Sequence, residues 1–376
     1  MNTPPFVLVA SRKTNPALRA ALALFLGLPI ASASAASIAW NNTTGNWSDG
    51  TKWSGPAPTG ADPTDVLSFA GDVGTVAGTP PNYVMTEDLA GTPFILNQIS
   101  LNVTNASATN LTQRLIASAS AKGLRFVANG AIGPQITQNG AGGFNFDLPI
   151  DLATTMTLAG NGAGVVTMNF AVTGAADIIK NGTSTFRFGT PFSSTTIPTT
   201  GPSANTWVGR LTINGGIIRF NNNLDSGRTA LRANPVTLNA ATAQLTCDSE
   251  IRMGTLSGSA GNVETIVVGS NTSSAGIVIH ALTDGTYGGT LKIDPKSGTG
   301  TNDGDLKVRG VAKQTLTGPL FLAFAGAGSS GADISVGHGA TLAFAGSTAL
   351  GTSSSVGADS RGAVLLAGGT FQKFIS

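Results

Sequence analysis

The sequence predicts an all-β protein, a right-handed parallel β-solenoid (β-helix) that follows a cleaved signal peptide. Three observations predict it. Apolar residues recur with a period of two over short runs bounded by Gly, Asn, Asp, Ser and Pro, the pattern of half-buried strands joined by tight turns; LRFVANG at 124–130 and STFRFGT at 184–190 are examples. Helical spacing is almost absent after residue 35. Several runs also resemble one another: LTINGGIIRF from 211 and VTLNAATAQL from 236, then ISVGHGATLAF from 334 and VLLAGGTFQKF from 364. Each is an alternating triplet, a small-residue turn and a second alternating run. A repeat of roughly 25–30 residues is the period of stacked coils. The competing arrangement is a β-sandwich array, whose turns come every ~8–12 residues. Short Gly-rich units, an aromatic content of 6% and no stretch dense enough for an aromatic sandwich core favour the solenoid.

Composition agrees. The 376 residues carry a formal charge of +2, and only 11% are charged, less than half the ~25% of an ordinary soluble domain. Gly accounts for 50 residues. Hydrophobic residues are 41% and mean hydropathy is +0.18, whereas disorder needs low hydrophobicity and high charge. The few basic residues are scattered and form no run, which excludes a nucleic-acid partner.

Taken in order, residues 1–35 read as a secretory signal. Arg12, Lys13 and Arg19 give a positive start, AALALFLGLPIA at 20–31 is the apolar stretch, and ASASAA at 31–36 offers cleavage after Ala33 or Ala35. No other apolar run approaches the ~18 residues of a membrane span. The mature chain is therefore expected to be exported, extracellular or at an outer-membrane surface, without a transmembrane segment.

Residues 36–175 read as an N-terminal β-rich cap with the first coils, opening on WNNTTGNWSDGTKWSG. Trp40, Trp47 and Trp53 fit two roles: capping the end of the coil stack against edge pairing, or a ring-stacking surface for sugars. The opening resembles that of long exported passenger proteins.

Residues 176–376 read as the solenoid proper. IIKNGTSTFRF at 178–188, NTWVG at 205–209 and LTINGGIIRF at 211–220 together resemble the autotransporter-associated β-strand repeat. Lys180 and Gly182 fall on that repeat's Lys and first Gly, and Thr185, Phe186 and Phe188 on its Thr-Leu-x-Leu. Asn205, Thr206, Trp207 and Gly209 fall on its Asn-Thr-Tyr-x-Gly, and Gly215, Gly216 and Phe220 on its last turn and strand. Ser184 replaces the second Gly, Trp207 replaces Tyr, and the intervening loop is long. DGTYGGTLKID at 284–294 keeps only Gly-Thr-Tyr-x-Gly and a strand. The resemblance implies a passenger-type β-helix. These positions are structural, with no role as a binding site.

No constellation of catalytic, cofactor-binding or metal-binding residues emerges. Cys247 is the only cysteine and reads as a small buried hydrophobe in a strand. His280, in a strand, and His338, in a turn, have no ligand at metal spacing. The tightest acidic pairs are Asp62/Asp65 and Asp303/Asp305. NDGD around the second pair reads as a turn rather than a Ca²⁺ loop, since no later Glu completes a ligand set. Gly-rich 326–333 lacks the Lys-Ser/Thr of a phosphate loop. The expected function is a non-enzymatic surface protein for display, adhesion or structure, without a cofactor and with a polysaccharide or a neighbouring surface as partner. The alternatives are a carbohydrate-active β-helix enzyme, whose distant carboxylates would have to converge, and a sugar-binding module built on the three Trp residues. The chain stops at GGTFQKFIS, inside what reads as a coil, so a fragment of a longer protein is expected, with any membrane anchor or barrel lying beyond its C-terminus.

Overall fold

The alternating runs become strands, and the strand ladders are parallel; among the described residues antiparallel pairing occurs only as isolated bridges, Trp40–Trp53 and Asn129–Ile132. This computed structural model describes residues 37–376 apart from 42, 62, 72–82, 90–91, 105–111, 119–121, 190–205, 221–233, 248–249, 267–274, 295–303, 323–332, 338, 346–349, 353–362, 368–369 and 374–376. The described residues belong to one compact unit, Ala36–Ser376. The signal segment, Asp62, Asn205, Asp303 and His338 lie outside them.

The chain is a parallel β-solenoid, with successive coils stacked so that they add strands to the first two faces and, over two stretches of the chain, to a third. The first face is a nine-stranded sheet from Ser37–Trp40 to Leu256–Ser257. A four-stranded sheet from Gly285–Tyr287 to Thr370–Lys373 continues it through a parallel bridge, Gly258–Tyr287. The second face is a single twelve-stranded sheet from Gly45–Asn46 to Leu350–Thr352. The third begins as four strands, Phe94–Leu96 to Val172–Gly174, and ends as five, Glu250–Met253 to Ala363–Ala367. A sandwich is ruled out because it needs antiparallel sheets, whereas here the rest of each coil serves as the crossover that parallel strands require.

The two pairs of similar runs seen in the sequence stack on one another. Leu211 pairs with Val236 and Gly216 with Ala243; Ile334 pairs with Val364 and Thr341 with Thr370. The period, however, is not constant. Equivalent hydrogen-bonded positions lie 22 residues apart at Asn161 and Thr183, 33 at Asn181 and Asn214, 25 at Asn214 and Asn239 and 20 at Thr237 and Ser257. The ladder fixes strand register but puts no limit on the length of the segments between strands, so surplus residues leave the stack at corners.

Alternation sets the interior. On the second face Phe144, Val166, Phe186, Ile218, Leu245, Val263, Leu291 and Leu320 form one inward column, each in register with the next. All are buried, at about 1.5–3 kcal/mol apiece for side chains of this size. Corners stack backbone on backbone. Gly182 has φ +72°, and a Cβ there would run into the Gly160 carbonyl of the coil below; only glycine fits. At the same corner an asparagine ladder climbs three coils: Asn214 Nδ2 donates to Asn181 Oδ1 at 2.9 Å, and Asn239 Nδ2 to Asn214 Oδ1 at 2.8 Å.

One expectation fails here. The N-terminal coils do hold a dense aromatic core: Trp47 lies 4.8 Å from Phe94 and 5.6 Å from Trp53 between ring centroids, and Phe69 lies 5.2 Å from Phe144. Low overall aromatic content concealed it, because Phe94 and Phe144 come from later coils and join the Trp47 and Phe69 rings only in space.

Candidate functional site

The residues of the repeat motif occupy a corner and the interior behind it. Lys180 ends the strand Ile178–Lys180 pointing inward and is fully buried. Its ammonium donates to the carbonyls of Asn181 at 2.7 Å and Gly182 at 3.0 Å, and lies 5.6 Å from the Phe186 ring centroid. Burial pulls its pKa down from 10.5 to about 8. Gly216, at φ +68°, leaves the space this ammonium fills, since a Cβ there would stand 2.8 Å from Lys180 Nζ. Phe186, Phe188 and Phe220 are buried, and Phe188 stacks on Phe220 at 5.1 Å. Thr185 is half-buried on the outer side, Thr206 is exposed, and Gly215 lies over the Gly182 carbonyl.

Trp207 is buried, and its indole N–H donates to the Ala176 carbonyl of the coil below. Gly209 passes so close to that carbonyl that no side chain fits. From the coil above, Asn234 Nδ2 donates to the Trp207 carbonyl and Asn234 Oδ1 accepts from the Gly209 N–H, each at 3.2 Å. The motif is thus a clamp across three coils. Asn234 completes it, a residue that the sequence reading did not single out. The looser match at 284–294 is not its equivalent. Tyr287 is buried on the continuation of the first face, stacked beside Gly258, whereas Trp207 stacks over the third-face strand Val172–Gly174, its backbone N–H donating to the Val172 carbonyl.

The three N-terminal tryptophans require a correction. Trp40, Trp47 and Trp53 are only 4%, 0% and 4% exposed. Trp53 Nε1 donates to the Trp47 carbonyl at 3.0 Å and Trp40 Nε1 to the Thr43 carbonyl at 2.8 Å. Their rings pack on one another and on Phe69 and Phe94, so they present no open face on which a sugar could stack. They fill the core behind the first described strands of the first two faces.

Carboxylates do converge at one place. On the third face Glu250, Gly276 and Asp305 occupy consecutive rungs of one column, with Arg252, Val278 and Lys307 beside them. Lys307 Nζ lies 2.8 Å from Asp305 Oδ2 and 4.0 Å from Glu250 Oε2, and Arg252 Nε donates to Glu250 Oε1 at 2.6 Å. Glu250 lies across Gly276, whose missing side chain makes room for it. Asp305 therefore sits near the start of the strand Gly304–Gly310, while Asn302 and Asp303 of NDGD lie outside the described residues. EIRM and GDLKVRG show the charges in sequence, but variable coil lengths hide that they meet. Elsewhere charges pair along their own sheets: Arg114 with Asp147, Arg125 with Asp151 and Lys292 with Glu264. Among the described residues no group of three or more His, Cys, Asp or Glu could hold a metal ion. Cys247 is buried, and His280 lies in the strand Ala275–Ala281. No described helix is long and apolar enough to cross a membrane.

No protein-family model matches the chain, and no curated protein or solved structure is significantly similar to it.

Proposed function

We propose that the chain is an exported, non-enzymatic passenger-type β-solenoid of the autotransporter-associated repeat kind, with a display, adhesion or structural role. The observation that carries this reading is where the motif residues lie. Gly182, Trp207, Gly209 and Gly216 bond or pack against a neighbouring coil, and the Lys180 ammonium holds the carbonyls of its own corner beneath Gly216, so what the motif encodes is a stiff scaffold. Charged side chains that pair along their own sheets add to it, because they spend their charge within the scaffold. Cell fractionation of a C-terminally tagged full chain tests the reading. A product processed after Ala33 or Ala35 and found outside the cytoplasm is expected; unprocessed cytoplasmic protein overturns it.

A second reading, a β-helix enzyme acting on an acidic polysaccharide, draws on Glu250 and Asp305 meeting at one ammonium beside Arg252. Glycoside hydrolysis uses two carboxylates ~5–10 Å apart. Here, however, Glu250 is buried and lies along its own sheet between two cations. Release of reducing ends or unsaturated uronate from polygalacturonate, abolished by Glu250→Gln, would replace the first reading with this one.

A further inference from the structure

The first coil sits on the second around a buried carboxyl group. The Val84 N–H donates to Thr44 Oγ1 at 3.3 Å, and Asn46 stacks on Thr86. The Trp47 N–H donates to the Thr86 carbonyl at 2.9 Å. Ser48 donates to Asp88 twice, from N to Oδ1 at 2.9 Å and from Oγ to Oδ2 at 2.5 Å. Residues 46–48 thus match 86–88 rung for rung, which sets Trp47 beside Glu87, and both side chains are fully buried. On its other side Glu87 stacks on Ala117. Glu87 Oε1 accepts from the Leu89 N–H at 2.9 Å. Neither Glu87 Oε2 nor the Trp47 indole N–H has a hydrogen-bond partner among the described residues. Gly45–Asn46 is the first described strand of the second face, so only the first coil covers Glu87 from that end of the stack.

An ionised carboxylate is poorly accommodated in this position. Burial disfavours the charged form, and one of its oxygens has no donor. The charged groups nearby are Asp88 next to it, Asp49 and Lys52 in the turn of the first coil, Arg114 in the strand above, and exposed Lys122 beyond that strand. Asp49 accepts from Thr51, the Lys52 stem lies over Gly45, and Arg114 is paired with Asp147. None of these cations offsets the burial, and Asp88 adds a small repulsion, so the Glu87 pKa stands at about 7 rather than 4.5.

We propose that Glu87 is a proton-operated latch on the first coil: the neutral acid lets residues 44–48 seat, and the ionised acid releases them and uncovers the edge of the strand Val84–Glu87. The first-face side of the coil, where Ser37–Trp40 pairs with Val66–Phe69, is the hinge. Linkage fixes the sign. Closed, the carboxyl keeps its proton up to about pH 7; open to water, it titrates near 4.5. Opening therefore releases a proton between those values, so the open population rises about tenfold per pH unit across that window and levels off above it. An uncovered edge strand is a template for pairing with another chain, so pH sets how firmly this end of the stack is closed.

The test is amide hydrogen exchange of the purified full chain from about pH 5 to 8, with each rate divided by its intrinsic value. Protection over 44–54 should fall about tenfold per pH unit between 5 and 7 and then level off, with no such fall over 211–220. Glu87→Gln should remove the slope. Should that variant misfold, Glu87→Met, neutral and of similar length, must remove it as well. Three outcomes overturn the proposal: protection over 44–54 that does not change with pH, a slope that survives the Glu87 variants, or an equal slope over 211–220, which would make Glu87 a contributor to global stability alone. None depends on export or on a display role, so failure here refutes the latch and leaves the scaffold reading as it stands.

Discussion

Two buried ionisable residues give the protein an unusual pH response. Glu87 is fully buried on the second face; one carboxyl oxygen accepts from the Leu89 N–H at 2.9 Å, and the other has no hydrogen-bond partner among the described residues. Burial raises its pKa from 4.5 to about 7, against the Leu89 N–H and with a smaller push from Asp88. An acid whose folded pKa is raised favours the folded state while protonated. Its contribution is present below about pH 4.5 and is lost as pH rises through 7. Lys180 works from the other side. The cost of burying its ammonium is present below about pH 8 and is relieved as pH rises toward 10.5. Each effect is on the order of 2–3 kcal/mol. Thermal midpoints should therefore fall between pH 5 and 7 in the native chain but not in Glu87→Gln, and should rise from pH 8 to 10 but not in Lys180→Met. At the Trp207 corner, Trp207→Phe removes the donor to the Ala176 carbonyl and part of the packing. A loss of about 1–3 kcal/mol is expected in denaturant unfolding, and Gly209→Ala, whose methyl meets the same carbonyl, should cost at least as much.

Among the elements, the hand-over on the first face is the place to probe. The strand Leu256–Ser257 closes the nine-stranded sheet and Gly285–Tyr287 opens its continuation, so the Leu256 backbone lacks a regular ladder partner there. Gln314 replaces it from two coils away. Its Oε1 accepts from the Leu256 N–H at 3.1 Å and its Nε2 donates to the Leu256 carbonyl at 2.9 Å, reaching past Gly285, which has no side chain to block it. A side-chain amide here stands in for a strand. Gln314→Leu keeps most of the volume but leaves two buried backbone groups unpaired, at about 1–3 kcal/mol each. Amide exchange at Leu256 should accelerate far more than at Leu211, two strands away in the same sheet. Nothing in the sequence marks this glutamine, because its partner lies 58 residues upstream.

At the scale of the whole molecule, stability is close to a sum over neighbouring coils. Removing one coil in register should then be tolerated. Deletion of 135–156 joins Pro134 to Thr157, the residue that stacks on Gln135; the coil after the cut then seats in register on a new neighbour, and every later coil keeps its own. Deletion of 135–145 leaves the chain out of phase on all three faces. Far-UV circular dichroism and urea unfolding should show a folded, somewhat less stable protein for the first and loss of the cooperative transition for the second. Equal behaviour of the two would show that the coils do not act as units.

The architecture was legible because it follows from local pattern. Period-two burial, corner glycines such as Gly182 and Gly216 and the paired runs at 211/236 and 334/364 each need only a short stretch to be recognised, and parallel stacking is what such stretches do when repeated. The paired runs even identify which coils touch. What the sequence left open is everything that depends on coil length. With equivalent positions spaced anywhere from 20 to 40 residues apart, as at Thr237 and Ser257 and at Gly45 and Met85, distance along the chain does not say which side chains meet. Only the folded stack brings Glu250 across Gly276 to Lys307, sends Gln314 past Gly285 to Leu256, and buries the three N-terminal tryptophans against one another and against Phe69 and Phe94 of later coils. The sequence by itself determined that the chain would coil, because backbone pairing and alternating burial are local. The tertiary structure decided which surfaces the coiling made, because register between coils is set by the ladder and not by the count of residues between strands.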